Sequence, residues 1–186
     1  MTRKDIVALV RSFEFPTNVE DWSYSTEEGW SIAHEAAYQW RLPDGFERWE
    51  IADKEGFTVA HAAVCAGCLP LGFDRWELAD REGFTVAHYA ARYRALPPTF
   101  DKWDLANIRG WTVAHEAACA GSLPPSFDNW DLANPDGWSV AHAAAYWGNL
   151  PRGFSRWDIA THMGWSVEDE FQRWKNGNLR PCTGGV

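Results

Sequence analysis

Residues 110–136 read GWTVAHEAACAGSLPPSFDNWDLANPD, a stretch that gathers a histidine, a cysteine, a glutamate and two tryptophans. Taken alone, that set has the ingredients of a metal or catalytic cluster. The same pattern begins again at Gly29, Gly56, Gly83 and Gly137, each start 27 residues from the next. A cluster that recurs at a fixed period is a building block, and a period in the 20–50 residue range is the mark of stacked repeats. A unit this small cannot bury its own apolar face and must lean on its neighbours.

The slots are regular. Gly29, Gly56, Gly83, Gly110, Gly137 and Gly164 share one position, followed by Trp30, Phe57, Phe84, Trp111, Trp138 and Trp165. Ser or Thr, Ile or Val, Ala and then His34, His61, His88, His115 or His142 come next. A Leu-Pro step leads to Phe46, Phe73, Phe100, Phe127 and Phe154, and then to Trp49, Trp76, Trp103, Trp130 and Trp157. This spacing predicts a short helix from Thr112, as N-cap, to a stop at Gly121, with Val113, Ala117 and Ala118 on a narrow face of small residues. It also predicts a second, shorter helix over PSFDNWDLA, capped by Ser126, with Phe127, Trp130 and Ala133 on one face. The closing NPDG is turn chemistry.

At Asp53, Gly56, Thr58, His61, Ala62 and Ala63 the sequence resembles an ankyrin repeat. DKEGFTVAHAAVCAG (residues 53–67) follows the family pattern D-x-x-G-x-T-P-L-H-x-A-A-x-x-G, with Val59-Ala60 in place of Pro-Leu. The resemblance runs over residues 26 to 167. Ankyrin units are about 33 residues long, so about six are missing here, all from the second half. The resemblance implies an all-α solenoid of helix-turn-helix repeats with terminal caps. It also implies a structural task for the five histidines: pairing with the Thr three residues earlier and with loop backbone.

The expected organisation is a capping helix and partial repeat over 1–28, five repeats over 29–163, and a capping repeat with tail over 164–186. Pro16, Val19 and Trp22 occupy the slots of Pro43, Phe46 and Trp49, and Ile6 to Phe13 is expected to cover the first exposed face. At the other end Glu168 and Asp169 replace Ala and His, giving a more polar terminal helix with Phe171 and Trp174 turned inward. The tail from Asn176 is expected to be mobile.

A net charge of −9 disfavours a direct nucleic-acid or anionic-membrane partner, and permits a basic partner or mimicry of a polyanion. Four cysteines (Cys65, Cys68, Cys119, Cys182) in 186 residues are too few for a disulfide scaffold and fit a reducing compartment. With neither a signal-peptide core nor a long apolar run, a cytoplasmic location is expected.

Several side chains invite a chemical reading. Successive histidines in a stack are about 8–10 Å apart, too far to share one metal ion. His61, Cys65 and Cys68 share a helical face and are the better metal candidate, yet they lack an evident fourth ligand. Cys119 has no convincing base beside it. Asp74, Asp101 and Asp128, with Glu77, Asp104 and Asp131, form a carboxylate ladder. Two accounts of it stand: stabilisation of helix N-termini, or imitation of a phosphate strand. The strictly repeated tryptophans (Trp49 to Trp157) read as core wedges. The aromatics after each glycine read either as a second spine or as an exposed recognition ladder. No nucleotide loop or nucleophile elbow is present, and no cofactor is expected.

Slots that differ between copies are free for recognition. Carried over from the ankyrin surface, the partner-facing positions are Trp30, Tyr38, Gln39, Phe57, Arg81, Phe84, Tyr89, Arg92, Tyr93, Arg109, Trp111, Trp138, Tyr146 and Trp147. They are rich in the aromatics and arginines that dominate interfaces. The expectation is a non-enzymatic, monomeric module binding another protein as adaptor, effector or inhibitor. The alternative is an acidic mimic that blocks a nucleic-acid-binding protein.

Overall fold

Every repeat helix starts at a hydroxyl. Ser31, Thr58, Thr85, Thr112 and Ser139 each sit in extended backbone and accept the N–H of the histidine three residues on. The imidazole Nδ1 returns the favour by accepting the backbone N–H of the cap, which closes a capping box with histidine in the place of the usual Glu or Gln. The helices so begun are only seven or eight residues long. Helices of that length do not hold in water alone and depend on packing. Their Val or Ile and Ala side chains supply it, buried at every repeat.

The computed structural model describes residues 2–11 and 22–177. Within that range all the regular elements are helices: α1 Arg3–Arg11, α2 Ile32–Tyr38, α3 Val59–Ala66, α4 Val86–Arg92, α5 Val113–Ala120, α6 Val140–Tyr146 and α7 Val167–Lys175. The chain divides into two compact units, Met1–Ala95 and Leu96–Val186. In the first, α1 packs on α2, α2 on α3 and α3 on α4; in the second, α5 packs on α6 and α6 on α7. This is the all-α, ankyrin-like repeat architecture that the sequence implied. Pro16 and Val19, the Phe13 end of the expected capping helix, Cys182 and the tail beyond Gly177 lie outside the described residues. No helix among the described residues is long and apolar enough to cross a membrane.

The expected second helix is not formed. In its place each repeat makes two consecutive turns. The first is closed by the N–H of Phe46, Phe73, Phe100, Phe127 or Phe154 on the carbonyl of the proline three residues earlier. The second places the tryptophan at its first corner, as when Ile51 N–H bonds Arg48 O at 3.3 Å. The physical reason lies in the start of the segment. Proline is followed by glycine (Gly45, Gly72, Gly153) or by a second proline (Pro98, Pro125), which favours turns and denies a helix its nucleus. Ser126 and Ala133, assigned to cap and face of that helix, are exposed instead.

Packing that a second helix would supply comes from interlocked rings. In the first unit Trp22, Phe46, Trp49, Phe73 and Trp76 follow one another edge to face, with centroids 5.1–5.5 Å apart. In the second unit Phe100, Trp103, Phe127, Trp130, Phe154 and Trp157 do the same at 5.1–5.8 Å. That row ends on Phe171 and Trp174 of the terminal helix. Edge-to-face geometry suits the ring quadrupoles and adds to the burial itself. It also accounts for the tryptophan-rich composition.

The two terminal helices share a device. Thr2 and Asp5 close a capping box at α1, and Ser166 and Asp169 close one at α7. Aspartate thus replaces the histidine of the inner repeats. Ile6 and Val10 of α1 are buried while Lys4, Asp5 and Ala8 face out, the amphipathic pattern of a cap.

Trp49→Ala is expected to cost about 3–5 kcal/mol, because it removes a buried ring that touches two others. Trp49→Phe should recover part of that loss. Urea unfolding followed by far-UV circular dichroism measures both, and a midpoint unchanged in Trp49→Ala would disprove the load on the ring row.

Candidate partner-binding surface

The loop that precedes each repeat helix is a tight hairpin tied by one side chain. Asp53 Oδ1 accepts the N–H groups of Glu55 and Phe57, both at 2.9 Å. Asp80, Asn107 and Asn134 do the same for their loops. Thr26 and Thr161 make one such bond each. The hairpins of the first unit approach closely, with Lys54 N–H on Glu28 O at 2.9 Å and Arg81 N–H on Glu55 O at 2.8 Å. This approach explains the glycine of the slot, since a Cβ on Gly56 would lie 2.9 Å from the backbone nitrogen of Arg81.

The histidines fasten these hairpins. Because Nδ1 accepts the cap N–H, the proton sits on Nε2, which donates to a carbonyl of the next hairpin. His34 reaches Phe57 O at 2.8 Å and His61 reaches Phe84 O at 3.1 Å. In the second unit His115 reaches Trp138 O and His142 reaches Trp165 O, both at 3.0 Å. Burial holds the imidazoles of His34 and His142 below their ordinary pKa and pushes His61 from 6.5 down to about 4, against the smaller pull of the accepting carbonyls. These rings stay neutral, with both nitrogens engaged.

That occupation decides the metal candidate. His61 has neither ring nitrogen available, Cys65 shares a hydrogen bond with the Tyr93 hydroxyl, and Cys68 donates to Ala37 O at 3.1 Å. Burial pushes both thiols up. Among the described residues no three His, Cys, Asp or Glu side chains are grouped as a metal site would require.

The aromatics after each glycine pack inward, four of the first five half-buried and Phe84 buried. Each of the first five lies against its own histidine, from 4.6 Å between centroids at Trp111 to 5.6 Å at Phe84. Trp30 and Phe57 also stack on each other at 6.3 Å. Three indole N–H groups donate to a buried carboxylate five residues on: Trp30 to Glu35, Trp111 to Glu116 and Trp165 to Glu170. Phe57 and Phe84, which have nothing to donate, face Ala62 and Tyr89 in that slot. The two slots change together in five of the six copies, the exception being Trp138, which meets Ala143 in that slot.

Of the candidate contact residues, Tyr38, Arg81, Arg92, Tyr93, Arg109 and Trp147 are exposed. Trp30, Gln39, Phe57, Tyr89, Trp111, Trp138 and Tyr146 are half-buried, and Phe84 is buried. Tyr89 packs on Phe57 and His61, and burial together with the Asp80 carboxylate pushes its hydroxyl up to about 12. Five exposed apolar or aromatic residues are absent from the sequence expectations: Tyr24, Trp40 at the end of α2, Leu71 in a turn, and Ile108 and Met163 at hairpin tips. Trp40 is 69% exposed and lies in the slot that Gly67, Gly121 and Gly148 fill in other repeats. The break in that glycine column was the signal.

The carboxylates Asp74, Glu77, Asp101, Asp104, Asp128 and Asp131 are all exposed. No helix begins beside them, so stabilisation of a helix N-terminus is not their task. Basic residues run between them. Arg75 reaches back to Glu50 at 2.9 Å, and Arg156 reaches back to Asp131 at 3.4 Å. In the second unit an open groove of about 500 Å³, lined by Leu123, Pro124, Phe127, Pro151, Phe154 and Arg156 among others, occupies the space between consecutive turn segments.

No protein-family model matches the sequence, and no curated protein matches it. In structure the chain is similar to the ankyrin repeat domain of Bcl-3, whose crystal structure is described as that of a unique member of the IkappaB protein family. The two are 16% identical, the match covers 92% of this chain and 91% of that one, and the TM-score is 0.57. At that identity the likeness is one of fold.

Stability is expected to fall with acidification before most carboxylates titrate. The unfolded chain binds protons on its histidines near pH 6.5, whereas the folded chain resists until His61 titrates near 4. The contribution of that residue is therefore complete above the unfolded value and lost as pH falls through the folded one. For His61 the loss is on the order of 1 kcal/mol at pH 5.5 and about 3 kcal/mol at pH 4. Urea midpoints at pH 7.5, 5.5 and 4.5 read it out, and a flat profile between the first two would count against the buried neutral imidazoles.

Proposed function

The chain has an ankyrin-like repeat fold, and on that premise we propose that it binds another protein through its hairpin tips and the exposed ends of its repeat helices. It acts by recognition rather than by chemistry. The observation that carries this reading is a division of labour. The repeated histidines, hydroxyls and hairpin Asp or Asn are consumed by internal hydrogen bonds. The slots that differ between copies carry Tyr38, Trp40, Tyr93 and Trp147, each more than half exposed. Large aromatics with more than half of their surface in water are the side chains that dominate interfaces. A surface mounted on packed, capped repeats also loses little freedom on binding. As adaptor, effector or inhibitor, a single copy would work by covering or recruiting its partner.

The polyanion-mimic alternative draws on the exposed carboxylates. The interleaved Arg75 and Arg156 weaken it, since they interrupt the negative field that such mimicry needs.

The intact protein, used as bait in the cells that make it, recovers the partner. Tyr93→Ala and Trp147→Ala are each expected to weaken that partner about tenfold or more. Reversing Asp74, Asp101 and Asp128 to lysine should change affinity by less than about threefold, with a shallow salt dependence. The opposite ranking, with binding that collapses as salt rises, would establish mimicry instead.

A further inference from the structure

Two residues hold a backbone conformation that their side chains disfavour. The position after each repeat helix is left-handed, with φ of +73° at Gly67, +66° at Gly121 and +71° at Gly148. In α2 and α4 the same position holds Trp40 and Arg94, at φ of +60° and +59°. Outside glycine this region is strained by the Cβ. The sister repeats show that glycine suits this backbone, so the larger residues are kept there at a cost in strain. Packing accounts for part of Trp40, whose ring edge would meet a Cβ on Gly67 at 3.6 Å. Most of the ring, like the side chain of Arg94, remains in water.

The surroundings have a definite chemistry. Tyr38 and Tyr93 are exposed on the same helix ends, and Tyr93 is tied to Cys65 of the intervening repeat by a hydrogen bond. The exposed Arg92 guanidinium sits 5.6 Å from the Tyr89 ring centroid. Residues 36–43, 63–70 and 90–95, which form these helix ends and lead into the turns that follow, contain no Asp or Glu. They contain Arg41, Arg92 and Arg94, in a chain with 26 carboxylates and a net charge of −9. The ends of α2, α3 and α4 are therefore an aromatic and basic island on an acidic protein. Interactions between exposed charges fade beyond about 8 Å at physiological salt, so the island presents its own sign to what touches it.

We propose that the ends of α2, α3 and α4 are a docking face for an acidic segment of a partner protein, with Trp40 and Arg94 as its anchors. The proposal rests on the protein-binding reading above and adds the chemical class of the partner. An apolar side chain of the segment lies against Trp40 and the two tyrosines. Its carboxylates pair with Arg94 and Arg92, whose planar N–H forks donate to them in bidentate fashion. Basic partners would be repelled by Arg92 and Arg94.

The test replaces each anchor with the residue its sister repeats already carry. Trp40→Gly and Arg94→Gly relieve the backbone, so both variants are expected to fold with urea midpoints close to that of the parent, Arg94→Gly at or above it. A displayed library of random 12-residue peptides is selected on the intact protein. Peptides with two or more Asp or Glu beside an aromatic or aliphatic residue are expected to be enriched, and to bind the double variant at least tenfold more weakly. Enrichment of neutral or basic peptides, equal binding to parent and double variant, or no enrichment overturns the proposal. So does tight binding of single-stranded oligothymidine that depends on the same two residues, which would make the ligand a nucleic acid. Self-association in sedimentation that is lost in the double variant would assign the face to a second copy instead. If the double variant keeps a partner that Trp147→Ala loses, the acidic-segment assignment fails while the wider reading stands.

Discussion

A buried imidazole carries the construction within each unit. In His34, His61, His115 and His142 the Nδ1 belongs to the cap of its own helix and the Nε2 to the hairpin of the next repeat, 23 residues along the chain. A single rigid ring therefore sets both where a helix begins and how far the following loop lies from it. The two bonds require one tautomer, so the ring must stay neutral and buried. In His34, His61, His115 and His142 the same constraint leaves neither ring nitrogen open to a metal ion.

With the front half of each unit fixed in this way, the back half is left to shape rather than to hydrogen bonding. The nine residues between proline and hairpin have a glycine or a second proline within their first two, and the chain spends them on two turns that present a Phe and a Trp. Rings from successive repeats then interlock edge to face, as Trp49 does between Phe46 and Phe73. Ankyrin-like stacking survives the shortening because an indole spans a gap that leucines on a helix would otherwise fill.

The fold was largely legible in the sequence, since a period without slippage and a Thr-x-x-His pair leave few alternatives. What misled was local. Phe127 and Trp130 are three apart, a spacing that serves a helical face and a pair of turns equally well, and only the prolines and glycines ahead of them tell the two apart. The carboxylates Asp74, Asp101 and Asp128 were read against that absent helix and inherited the error. Exposure was less legible than architecture. Nothing in composition distinguishes the buried Phe84 from the half-buried Phe57 in the same slot. Trp40 was hidden for another reason: its meaning lies in replacing a glycine whose backbone angle is kept, which no variable slot reveals.

The change from histidine to aspartate at the terminal caps bears on how such a chain grows. Asp169 closes the box at α7 as Asp5 does at α1, but a carboxylate this short has no second arm to extend to a further hairpin. An inner unit offers one carbonyl to the repeat before it and asks one of the repeat after it. Such a unit can be duplicated or excised without rewriting its neighbours. Gene-level gain or loss of 27-residue blocks would then alter how many recognition slots the protein displays while leaving the chemistry of its two ends untouched.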